Sequence, residues 1–227
     1  MEKNQFELCL KVLRRLHETG VLKDVILIGS WCIPFYKDYF SPVKFKPAIK
    51  TRDVDFLIPY PGRLSRSVDV PELLKDLGFV IGYRGSKGYI KLEHPDLVIE
   101  FLSPEKGRGT DKPVSIPQLG VNAVALRFLN FLADNVIKAK VEDFVVCLPH
   151  PANFALHKLI IFQRRRNKDK AVKDQNSAVE ILKALMSKGE AEVVVKVFVS
   201  VPSKWQSKII KGLESAGEKE ILNMLNA

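Results

Sequence analysis

The chain has 227 residues, of which 46% are hydrophobic and 27% charged, and its 36 Lys and Arg against 26 Asp and Glu give a formal charge of +10. That length supports one compact α/β domain or two small subdomains. There is no run of about eighteen apolar residues that could span a membrane, and the charged start Met1-Glu2-Lys3-Asn4 is unlike a secretory leader, so a cytoplasmic protein without a membrane partner is expected.

Cys9, Cys32 and Cys147 are odd in number and have no CxxC spacing, which points to neither a disulfide framework nor a zinc site. The four histidines, His17, His94, His150 and His157, are scattered and are assigned no chemistry. The basic balance favours polyanionic partners, nucleotides or RNA, through a long-range field.

Phe6, Cys9, Leu10, Leu13 and Leu16 follow helical spacing, with Gly20 at the C-cap position, so the chain opens on an amphipathic helix. Val25 to Ile28 reads as a buried strand that ends in Gly29-Ser30, with a short helix from Trp31. Asp53 to Ile58 is a second strand, stopped by Pro59-Tyr60-Pro61-Gly62. Pro71 to Leu77 reads as a helix closed by Gly78. Phe79 to Tyr83 and Tyr89 to Glu93 form a hairpin around Gly85-Ser86-Lys87-Gly88.

Leu97 to Leu102 is a further apolar strand interrupted only by Glu100. Residues 103–120, rich in Pro, Gly and charge, read as a long loop and as the seam between two regions, 1–115 and 116–227. Beyond it come a strand at Phe144 to Leu148 and a helix from about Ala152. An apolar stripe at Ala171, Val172, Ala178, Val179, Leu182, Leu185 and Met186 marks a long helix ending near Gly189. Amphipathic helices follow at Trp205 to Leu213 and Glu218 to Leu225.

Asp53 and Asp55 stand two residues apart on one strand, so both side chains leave the same face. Two adjacent carboxylates on an otherwise apolar strand repel unless a cation sits with them, and hard oxygen donors of this kind suit Mg²⁺ or Mn²⁺. Glu100, alone in an apolar strand, asks for a partner in the same way. Ile28-Gly29-Ser30-Trp31 adds a backbone open to close approach, a hydroxyl donor and a helix start that favours anions.

A hydrophobic-hydrophobic-Gly-Ser strand end, then Asp-x-Asp on the next strand, then a lone acid on a later one resembles the nucleotidyltransferase (polymerase-beta-like) superfamily. Later segments are similar to AbiEii-like bacterial nucleotidyltransferases: Val145 to Leu159 with Lys158-Leu159, then Arg164-Arg165-Arg166, then Lys173-Asp174. The likeness covers about residues 25–186. A departure from the pattern is the long basic insert between Ser30 and Asp53, with Lys37, Lys44, Lys46, Lys50 and Arg52.

The resemblance implies an α/β (α+β) mixed sheet with flanking helices: a catalytic core over 1–115, then a mainly helical region over 116–227 that completes the substrate cleft. It implies an enzyme that moves a nucleoside monophosphate from an NTP to an acceptor hydroxyl on RNA, protein or a small molecule. Asp53, Asp55 and Glu100 are then catalytic and metal-binding, the metal being Mg²⁺ or Mn²⁺. Gly29, Ser30, Lys158, Lys173 and Asp174 contact the nucleotide and its phosphates. An RNA acceptor such as a tRNA end would align the chain with toxin–antitoxin-like members.

Competing readings are a catalytically silent nucleotide-binding regulator and a plain basic RNA-binding module. Asp-x-Asp alone is common in loops and calcium sites. Arg164 to Lys170 reads equally as a phosphate patch or a solvated turn, and Lys170 with Asp174 as a helix-stabilising pair.

Overall fold

The computed structural model describes residues 3–43, 45, 51–105, 107 and 112–226. Lys44, Lys46 and Lys50 of the basic insert lie outside them. Two compact units divide the chain: Met1–Tyr36 with Pro47–Pro149, and Lys37–Lys46 with His150–Ala227.

The first unit opens on α1 (Lys3–Glu18), which buries Cys9, Val12, Leu13 and Leu16 in the expected stripe. Its sheet comprises β1 (Ile26–Ile28), β2 (Asp53–Leu57), β3 (Val80–Arg84), β4 (Tyr89–Glu93), β5 (Val98–Pro104), β6 (Val114–Ile116) and β7 (Val121–Leu126). The strands run β1-β2-β5-β4-β3, with β7 beside β5 and β6 beside β7. β2 is parallel to β5 and antiparallel to β1, so the sheet is mixed as expected.

β5 is central and is buried along nearly its whole length. Its first half pairs with β4, and its last residues, Leu102 to Pro104, pair with β7. Phe56 and Phe101 stack at 5.8 Å on one face with Leu27, Val54 and Ile99, all of them buried. The other face carries the apolar cluster Ile26, Ile28, Leu57, Leu102, Leu129 and Leu132.

The seam expected in 103–120 does not fall there. Ile116, Val121 and Ala123 are buried as β6 and β7 join this sheet, and β8 (Val136–Val141) pairs with β9 (Phe144–Pro149), so the first unit continues to Pro149.

The second unit is helical: α5 (Pro151–Ile161), α6 (Lys168–Ser187), α7 (Ala191–Ser200), α8 (Ser203–Ser215) and α9 (Lys219–Asn226), α4 being the short Asn130–Ala133 turn of the first unit. α5 packs against α6, α7 and α8 and is buried from Pro151 to Ile160. Pro151 stands at its start, and the Ala152 N–H donates to His150 Nδ1 at 3.2 Å, so His150 is the N-cap.

His150 also reaches Tyr39. Its Nε2 lies 2.9 Å from the Tyr39 hydroxyl, which donates to Glu190 at 2.5 Å. This chain of hydrogen bonds ties Tyr39 to the helices.

Candidate active site

Register decides which side chains share a face. Asp55 lies opposite Ile28 on β1 and opposite Glu100 on β5, while Asp53 lies opposite Val98. Side chains directly opposite one another leave the same side of a sheet. Asp53, Asp55 and Glu100 are therefore on one face, at the end of β1 where the chain turns out of the strand.

Asp53 and Asp55 are half-buried, whereas Glu100 is buried. Towards the far end of the same face the residues become Leu57 and Leu102, so the strands are charged at one end and apolar at the other.

The turn out of β1 is fitted to Asp55. Gly29 has φ +72°, and a Cβ placed there would come 2.6 Å from Asp55 Oδ2. Both the left-handed backbone and the missing side chain are required. Gly29–Trp31 forms a 3₁₀ turn that runs into α2 (Cys32–Phe35), and Trp31 is buried, which fixes the turn below the half-exposed Ser30. The Gly29 backbone is thus held close against the Asp55 carboxylate.

Glu100 has a partner that the sequence reading did not identify. Lys91 on β4 forms an ion pair with Glu100 Oε1. Leu92 pairs with Ile99 in antiparallel register, which sets Lys91 opposite Glu100. Among the described residues no group of three or more His, Cys, Asp and Glu side chains is arranged to hold a metal ion. Asp53 and Asp55 offer hard oxygen donors whose chemistry suits Mg²⁺ or Mn²⁺.

In the second unit, Lys158 and Asp174 do come together. Lys158 Nζ donates to Asp174 Oδ1 at 2.5 Å and lies 5.0 Å from the centre of the Phe154 ring, while Arg165 Nε donates to Asp174 Oδ2 at 2.8 Å. Lys158 is only 5% exposed and Asp174 6%. Burial alone would push the Asp174 carboxyl up, but the charge and hydrogen bond of Lys158, and then Arg165, hold it below the usual carboxylate range.

His157 is buried beside this group, with no hydrogen bond to Nε2 among the described residues. Desolvation first, and then the Lys158 charge, push its pKa down to about 3. Lys173, by contrast, is exposed on α6, as is the whole run from Arg164 to Lys170. Asn167 in that run caps α6 by accepting from the Lys170 N–H at 3.0 Å.

No helix of the described residues is long and apolar enough to cross a membrane. No curated protein matches the chain. Among solved structures, an antigenic nucleotidyltransferase-like protein from Paracoccidioides brasiliensis is similar with a TM-score of 0.52 and 14% identity, over 97% of this chain and 93% of that one. ANT(2")-Ia in complex with adenylyl-2"-tobramycin is similar at a TM-score of 0.49 and 12% identity, over 86% and 97% of the two chains.

The antibiotic-resistance factor ANT(2'')-Ia in solution gives 0.44 and 11%, over 100% and 91%. The Paracoccidioides match speaks for the fold. The sequence itself matches the nucleotidyltransferase family over residues 7–195, which include the Gly-Ser turn, both aspartates, Glu100 and the Lys158–Asp174 pair. The chain belongs to the nucleotidyltransferase family of enzymes.

Proposed function

We propose that the chain transfers a nucleoside monophosphate from an NTP to a hydroxyl on RNA, using Mg²⁺ or Mn²⁺ at Asp53 and Asp55. The observation that carries this reading is the placement of Asp55, opposite Ile28 and Glu100 with its carboxylate against Gly29. A divalent ion bound there supplies positive charge against the triphosphate, in a reaction governed by positioning and electrostatics. Gly29 and Ser30 meet the terminal phosphates, which the short turn can approach with its backbone N–H groups.

The acceptor oxygen attacks the α-phosphorus, the bond to pyrophosphate breaks, and Glu100 takes the hydroxyl proton. The RNA acceptor rests on the +10 charge and the exposed run from Arg164 to Lys170. In this reading the exposed Lys173 and that run add to the basic surface that attracts a polyanionic acceptor. Lys158 and Asp174 hold α5 to α6 through their buried pair, and so shape the helical unit instead of touching phosphate directly. A tRNA end is the acceptor expected of an AbiEii-like enzyme.

The test is transfer of label from each [α-³²P]NTP to total RNA with Mg²⁺ or Mn²⁺, with pyrophosphate release followed in parallel. Labelled RNA from the wild type and none from Asp53→Asn is the expected result. Label in small molecules or protein alone would replace the RNA acceptor. Equal labelling by the Asp53→Asn variant would remove the site assignment altogether.

A further inference from the structure

One row of residues crosses the sheet through the acids: Ile28 on β1, Asp55 on β2, Glu100 on β5, Lys91 on β4 and Gly82 on β3. Lys91 is thus built into the face that carries Asp53 and Asp55, two strands away from Asp55. Its side chain is 17% exposed and that of Glu100 11%, so the ion pair is largely out of water. Separating such a pair leaves an uncompensated charge, which is costly.

The alternative acid for Lys91 is Glu93, two residues on and on the same face. Glu93 lies instead over Gly82, where a Cβ would come 2.5 Å from its carboxyl carbon. The missing side chain at Gly82 lets Glu93 lean towards β3 and leaves Lys91 to Glu100.

We propose that Lys91 is the resident counter-cation of Glu100, and that Asp53 and Asp55 are therefore the only protein carboxylates that ligate the divalent ion. This inference rests on the nucleotidyl-transfer reading and fixes the part that Glu100 plays in it. A divalent ion recruiting Glu100 would have to displace a desolvated ammonium or sit beside it against their mutual repulsion. Lys91 instead fixes the direction of the Glu100 carboxylate, which is left to receive the acceptor proton. Lys91 is a positioning residue, and its one fixed charge stands where a second divalent ion would otherwise be needed.

Mn²⁺ binding to the full chain, followed by electron paramagnetic resonance without nucleotide, tests this. One Mn²⁺ is expected in the wild type, weakened more than about tenfold by Asp53→Asn. Glu100→Gln is expected to leave affinity within about twofold while abolishing turnover, and Lys91→Met to tighten Mn²⁺ binding about tenfold or add a second ion as Glu100 is released to the metal.

Lys91→Arg keeps the charge and is expected to keep wild-type stoichiometry, so the inference remains testable if Lys91→Met folds poorly. Equal loss of Mn²⁺ in Glu100→Gln and Asp53→Asn, with Lys91→Met unchanged, overturns this inference alone. No Mn²⁺ in the wild type or in any variant overturns both it and the metal site of the proposed function.

Discussion

On the sheet of the first unit four carboxylates, Asp53, Asp55, Glu93 and Glu100, share a face with one ammonium, Lys91. Among the helices of the second unit one carboxylate, Asp174, receives two cations, Lys158 and Arg165, a sum of +1. Both sets are removed from water to similar depth around their central acid. The helical group answers its acid from within the chain and so reads as structure. The sheet group sets its acids beside a turn shaped for close approach, and the proposed function reads it as a metal site.

That contrast predicts opposite consequences for removing an acid. At the sheet, Asp53→Asn or Asp55→Asn is expected to lower nucleotidyl transfer by about a thousandfold or more, with the thermal midpoint unchanged or raised because like charges no longer face each other. Steady-state rates beside a melting curve check it; a large drop in midpoint would mean these acids are structural.

In the helices, Asp174→Asn or Lys158→Met is expected to cost about 3–5 kcal/mol in urea unfolding, because each leaves a buried partner charge unanswered. Turnover per folded molecule should change far less than at the sheet. Lost turnover without lost stability would move Lys158 into the site.

Gly29→Ala sharpens the comparison from the backbone side. Its left-handed φ and the 2.6 Å approach to Asp55 Oδ2 should cost about 1–3 kcal/mol and displace the carboxylate. Stabilisation by NTP and metal should be lost with it, and a thermal shift reads both effects.

Acid titration probes the helical group, His157 in particular. His157 has its pKa lowered from 6.5 to about 3 in the fold, so it takes up fewer protons folded than unfolded. Its contribution is complete above pH 6.5 and declines by at most about 1.4 kcal/mol per pH unit below that. Asp174, held below its ordinary value, adds stability that is lost as pH falls through its folded pKa. Unfolding free energy measured from pH 7 to pH 4 should therefore fall, and His157→Phe should flatten the curve. An unchanged slope in that variant would mean His157 is not buried neutral.

Where periodicity and punctuation agree, the fold could be read from the chain: α1, the β3–β4 hairpin and the apolar run of β5 lie close to where the sequence puts them. The 103–120 segment misled because its prolines and glycines frame short strands whose burial depends on pairing with β5, a long-range contact that local composition does not register. α7 was also missed. Its Ala-Glu-Val-Val-Val-Lys-Val-Phe-Val-Ser run has strand propensity, yet Val194 and Phe198 are buried at helical spacing, so packing overrode preference.

At the site, Asp53 and Asp55 were legible from period two, and Glu100 from being the one charge in an apolar strand. Lys91 was not, since Tyr-Ile-Lys-Leu-Glu is ordinary alternation and its partner is set by the register of β4 on β5. The burial of Lys158 did leave a signal: the apolar residues of Pro151 to Ile160 are spread round the helix without a polar stripe, which leaves a lysine there little solvent face.

The most direct test of the central claim is a thermal-shift titration of wild type and Asp53→Asn with each NTP, with and without Mg²⁺ or Mn²⁺. A ligand that binds only the folded state raises the midpoint by mass action. The account predicts stabilisation that needs NTP and metal together and disappears in Asp53→Asn. An NTP shift that is independent of metal and intact in the variant would contradict it.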